Sequence, residues 1–228
     1  MSTTNIRSIL AAVALLSSPA YSGFYLGAQA GAALMRGDIL YSEANVQQPT
    51  AHARKMGAAY GGQLGYMYHF KNSKMVLMGE GTYLKESSKT KKYDLSFPSS
   101  TLNKGTLCVE GTRSFGGSLG VGVFVNPKVG FYGKVGFENK GLKTTYTLPG
   151  NIQTYSGKKT AIWSVVPGLG FIYKPTDSIG MGLEYNYLIG KKYNVLPQTT
   201  NANGTYSQSI YFTPTEHRLL FKINYMFA

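Results

Sequence analysis

The sequence predicts an all-β fold: an eight-stranded antiparallel up-and-down β-barrel that crosses a membrane. Three observations predict it. Apolar residues alternate with small or polar ones over about eight segments. The apolar face of those segments carries no charge at mid-strand. The connections alternate between short polar turns and long polar stretches.

The chain has 228 residues, which suits one domain. Gly (28) and Tyr (18) are abundant, and only 14% of residues are charged. Past the N-terminus there is no run of about 20 apolar residues, which excludes a helical membrane protein. A barrel needs only one apolar face per strand, so its mean hydropathy stays near neutral, as here. A single cysteine excludes an intramolecular disulfide.

The N-terminus reads as a signal peptide over residues 1–22, leaving 23–228 as the barrel domain. Arg7 supplies a positive start, Ile9 to Leu16 an apolar centre, and Ser18-Pro19-Ala20-Tyr21-Ser22 the small residues of a cleavage site. Cleavage is expected after Ser22, with Ala20 as the rival position. A membrane anchor would need a longer apolar run.

The first strand is expected over Phe24 to Leu34, with Phe24, Leu26, Ala28, Ala30 and Ala32 on one face and Tyr25, Gly27, Gln29 and Gly31 on the other. The second runs from about Ala58 to Phe70, and the third from Met75 to Leu84. The fourth, about Arg113 to Val125, sets Phe115, Leu119, Val121 and Val123 against glycines and serines. The fifth starts near Val129 and the sixth covers about Ala161 to Tyr173. Pro167 lacks a ladder donor, so a bulge or break is expected beside Gly168. The seventh runs from Ile179 to Tyr187, and the last from Arg218 to Phe227.

A soluble barrel would also alternate, but its polar face would meet water and carry more Lys, Glu and Thr. Here that face is mostly Gly, Ser and Ala, which suits a crowded narrow interior. The strand charges Glu80, Lys134, Glu138, Glu184 and Lys222 all fall on it. A lipid-facing Lys or Arg at mid-membrane would cost roughly 2–4 kcal/mol. Aromatics gather near strand ends, as interface girdles require. Short turns are expected at 71–74, 126–128 and 174–178, and long loops over 36–57, 85–112, 139–160 and 189–216. Such segregation marks a periplasmic and an exterior side.

The opening Gly23-Phe24-Tyr25-Leu26-Gly27-Ala28-Gln29-Ala30-Gly31 resembles the first mature strand of opacity-type surface proteins, which belong with the outer membrane protein A-like small barrels. Pro167 to Lys174 and Ile179 to Tyr185 resemble their sixth and seventh strands. Leu219 to Phe227 is similar to their C-terminal assembly strand, although Ala228 follows the usual terminal aromatic. The resemblance implies a bacterial outer-membrane surface antigen, with a host polyanion or receptor as partner. No periplasmic domain is expected after the barrel, unlike the full-length outer membrane protein A type.

Glu80, Lys134, Glu184 and Lys222, with Gln29 and Gln63, fall at comparable distances from the periplasmic end. They are expected to form one polar layer across the interior, where both signs can pair. A plug is the first reading; an ion path is the second, limited by the narrow bore. Catalysis is not expected. His52, His69 and His217 stand in no nucleophile-and-base pattern, and Cys108 reads as a lone loop thiol. No metal-ligand spacing occurs and no cofactor is implied.

The loops hold the basic surplus behind the net charge of +13. The second carries Lys85, Lys89, Lys91, Lys92 and Lys104, the third Lys140, Lys143, Lys158 and Lys159, and the fourth Lys191 and Lys192. The expected partners are outer-membrane lipid and the phosphates of lipopolysaccharide. Nucleic acid is excluded by the export signal. An adhesin-like structural role is the leading reading. A passive envelope component and a very small channel are the alternatives, and a lipid A-modifying enzyme is the least favoured.

Overall fold

The computed structural model describes residues 23–43, 46–87, 93–95, 105–147, 154–195, 199–200 and 207–227; the expected signal peptide lies outside them. The strands are β1 (Gly23–Glu43), β2 (Val46–His69), β3 (Met75–Glu86), β4 (Tyr93–Leu95), β5 (Gly105–Asn126) and β6 (Val129–Thr147). They continue with β7 (Thr154–Tyr173), β8 (Ile179–Gly190), β9 (Tyr193–Asn194), β10 (Thr199–Thr200) and β11 (Ser207–Met226). Eight of these, β1, β2, β3, β5, β6, β7, β8 and β11, pair in antiparallel sequence, and β11 pairs back to β1, so the sheet closes. The short strands are edge additions: β4 pairs with β5, and β9 and β10 with β11.

Closure sets the stagger. Partners followed round the barrel run Gly23, Met67, Met78, Gly120, Lys134, Gly168, Asn186, Arg218 and then Ala33, ten residues further along β1. Eight strands with that shear must tilt from the axis, by roughly 35–45° in barrels of this kind.

Three tight turns lie at one end. Asn72 takes a left-handed φ of 59° between β2 and β3, a conformation Asn tolerates well. The Asn126 side chain accepts from the Lys128 and Val129 amides at 2.9 Å each, and Thr176 Oγ1 accepts from the Ile179 amide at 3.1 Å. Side-chain acceptors of this kind close turns without added length.

The other end departs from the expected loops. Crossing a bilayer takes about 9–11 tilted residues, yet β1 has 21, β2 24 and β5 22. Much of the stretches 36–57, 85–112, 139–160 and 189–216 therefore continues the barrel beyond the membrane. Hydropathy hid this because outward residues turn polar there. Many inward ones stay apolar: Met35, Ile39, Leu107, Val109, Leu142, Ile162, Ile210 and Phe212 form a buried cluster with Tyr193 and Val195. Bulges between Gly111 and Ser114 and between Lys143 and Thr145 also shift the alternation. Cys108 accordingly lies in β5, and His52 in β2, rather than in loops.

Pro167 gives a break without a bulge. The β7–β8 ladder pairs Val165 with Ile189 and resumes at Gly168 with Asn186 in the same register, while Pro167 keeps Val135 as its partner on β6. The missing N–H is thus accommodated on one side only.

The outward face is apolar as expected. Leu119, Leu169, Phe137 and Trp163 are among its most exposed side chains, at 60–69%. Edge-on ring pairs mark two girdles: Phe24 with Tyr66 and Tyr225 with Phe227 near the turns, and Phe115 with Trp163 toward the far end.

Candidate functional site

Alternation sends every second side chain inward, and in so narrow a barrel those side chains meet across the bore. From the turn end, the first layer is apolar: Tyr25, Met67, Val76, Met78, Phe124 and Ile172. Above it Glu80, Lys134, Glu184 and Lys222 form a ring of alternating sign. Lys134 Nζ lies 2.8 Å from both Glu80 and Glu184, and Lys222 Nζ lies 3.0 Å from Glu80 and 2.7 Å from Glu184. Tyr25 donates to Glu80 at 3.0 Å, Tyr132 to Glu184 at 2.7 Å, and Asn186 to Glu184 at 2.8 Å. Two carboxylates thus face two ammonium groups, and each is held by several donors, as burial of charge requires.

Gln29 and Gln63 make no hydrogen bond to this ring among the described residues. Gln63 Nε2 donates to Asn224 Oδ1. Gln29 is buried opposite Lys222 in the ladder, and its amide has no hydrogen-bond partner among the described residues.

An apolar layer of Ala33, Ala59, Leu84 and Leu220 comes next. A second ionic cluster follows; of its acids the sequence sets Glu138 on the inward face, but not Glu86 or Glu216, and it leaves Lys140 among the loop cations. Arg218 reaches both oxygens of Glu138 at 2.6 and 2.7 Å and Glu86 at 2.6 Å, and also pairs with Glu216. Lys140 bridges Glu86 and Glu216. Glu86, Lys140, Glu216 and Arg218 have side chains at most 1% exposed. Lys140 was expected among exterior loop cations; it is inside because β6 continues its alternation from Glu138 through Lys140 to Leu142. The same step of two carries Leu84 to Glu86 and Glu216 to Arg218, and that was the available signal.

The interior therefore consumes Glu80, Glu86, Glu138, Glu184 and Glu216, half of the chain's ten acidic residues, against four bases. The basic surplus is an exterior property. Of the expected loop lysines, Lys89, Lys91 and Lys92 lie outside the described residues. Lys158 and Lys159 belong to β7. Lys191 and Lys192 are exposed after β8, with Lys192 Nζ 4.5 Å above the Tyr211 ring.

Among the described side chains, His69 and His217 lie in separate surroundings. His69 packs beside Phe124, with ring centroids 5.2 Å apart. His217 faces outward, with Nδ1 2.6 Å from the Tyr185 hydroxyl. Among the described residues no group of three His, Cys, Asp or Glu is placed to hold a metal.

None of the curated proteins compared matches the chain. Solved structures of similar shape include the attachment invasion locus protein Ail of Yersinia pestis, at 15% identity, covering 87% of this chain and 98% of that one with a TM-score of 0.37. Neisserial surface protein A gives 13% identity, 90% and 99% coverage and a TM-score of 0.39. The outer membrane protease OmpT of Escherichia coli gives 8%, 90% and 97%, and 0.50. At such identities the likeness concerns the fold alone. A family model for the outer membrane protein beta-barrel domain matches residues 8–213. A closed barrel with an apolar exterior, aromatic girdles and this match makes the chain a member of the outer membrane protein β-barrel family, resident in the bacterial outer membrane.

Proposed function

We propose that this protein is a surface barrel with an adhesin-like, polyanion-binding role, exported by a cleaved segment over residues 1–22 and without catalytic activity. The observation that carries the reading is the separation of charge. Acid is concentrated in the interior, and most of the remaining base is left on the extracellular end. Two ion-paired layers and three apolar ones fill the bore, which speaks against the small-channel alternative and puts any activity on the outside. The lysines at 89, 91, 92, 158, 159, 191 and 192 supply the attraction for an anionic polymer or receptor.

Binding of the refolded protein to heparin and to host cells across a salt series tests this. Glutamine at those seven lysines should weaken binding by roughly tenfold or more, since each exposed charge contributes a few tenths of a kcal/mol up to about 1. Binding should also fall as salt rises. Binding that ignores both salt and the substitutions would leave the passive envelope role as the better account.

A further inference from the structure

Between the two ionic clusters the bore is filled unevenly. Leu84 and Leu220 pack on one side, but the residues that β3, β5 and β6 present there are small: Thr82, Ser118 and Gly136. A cavity of about 20 Å³ remains, enough for a water-sized occupant. The amides of Gln29 and Asn186 line it, with Glu138 from the upper cluster and Glu184 from the lower ring. Gln29 is 3% exposed and Asn186 4%. The Asn186 nitrogen donates to Glu184. Its Oδ1, like both amide atoms of Gln29, has no hydrogen-bond partner among the described residues. Buried amides of this kind call for a partner.

Charge gives an independent reason for an occupant. The lower ring balances, with Glu80 and Glu184 against Lys134 and Lys222. The upper cluster does not. Glu86, Glu138 and Glu216 face Lys140 and Arg218, which leaves one negative charge in excess. An uncompensated charge among apolar layers is costly. Lys134 and Arg218 border the cavity as well, but carboxylates already hold both. Water would satisfy the amides and leave the charge. A proton on one carboxylate would settle the charge and leave the amides. A divalent ion would reverse the imbalance, and among the described residues no three His, Cys, Asp or Glu are placed to hold one.

We infer that this cavity is a site for one monovalent alkali cation, bound by Gln29 Oε1 and Asn186 Oδ1 and attracted by the excess charge that Glu138 brings to its wall. Carbonyl oxygens of this type replace the hydration shell of such ions. The ion is part of the plug and does not pass through it. Apolar layers close the bore above and below, so an ion taken up during refolding stays trapped.

Sodium is the probe for the test. The barrel is refolded in sodium chloride, exchanged into choline chloride, checked for the folded band on unheated gels, and its sodium is counted by atomic emission. Wild-type protein should retain one sodium per chain and release it on unfolding. Gln29→Leu removes an oxygen ligand, and Glu138→Gln removes the excess charge while keeping an acceptor for Arg218. Each should bring retained sodium down to the buffer blank. Arg36→Gln, on the outward face, should leave the count unchanged. Wild type refolded in choline chloride should also unfold at lower urea than wild type refolded in sodium chloride of equal ionic strength. Absence of retained sodium in folded wild type overturns the proposal without any variant and leaves water or a proton in its place. So do equal urea midpoints in the two salts, or a sodium count that neither Gln29→Leu nor Glu138→Gln lowers.

Discussion

Arg218→Met should destabilise the refolded barrel by about 3–5 kcal/mol, because removing one partner of a buried ion cluster leaves the others uncompensated. Among the described residues, Arg218 touches Glu86, Glu138 and Glu216 together. Without it, three carboxylates would share Lys140, which itself reaches only Glu86 and Glu216. Urea unfolding in lipid vesicles, read by the shift between folded and unfolded bands on unheated gels, measures the loss. Adding Glu138→Gln to Arg218→Met should recover part of it, since that carboxylate loses both of its short contacts to Arg218. A single variant as stable as wild type would mean that the cluster is not ion-paired.

Glu184→Leu should cost a similar amount in the lower ring, about 3–5 kcal/mol, for the opposite reason. Glu184 accepts from Lys134, Lys222, Tyr132 and Asn186. Its loss leaves two ammonium groups facing Glu80 alone and strips two neutral donors of an acceptor. Glu184→Gln keeps an acceptor and should fall between wild type and Glu184→Leu in the same unfolding series. Equal stability of the leucine and glutamine variants would show that the charge contributes nothing.

How much of this was readable beforehand depended on the membrane. Within the belt, lipid imposes a strong contrast between faces, so the eight strands and their inward sides followed from alternation alone, as Phe24 and Leu26 against Tyr25 and Gln29 illustrate. The four charges Glu80, Lys134, Glu184 and Lys222 could be placed inside because any outward charge there is costly. Above the belt water removes that penalty. Outward positions such as Arg36 and Lys85 become polar, the contrast fades, and the extended hairpins read as loops. Glu86, Lys140 and Glu216 were assigned to those loops for that reason. The steps from Leu84 to Glu86 and from Glu138 to Lys140 show that period two continued, but bulges near Arg113 and Thr144 interrupt it on neighbouring strands.

On the proposed reading the bore is sealed and the protein works from its outer surface. Ionic current through the refolded wild-type protein in a planar lipid bilayer tests it most directly. The filled layers predict no steady conductance above the bare bilayer. A reproducible unitary conductance in the wild type would mean an open bore and make the small channel the better reading.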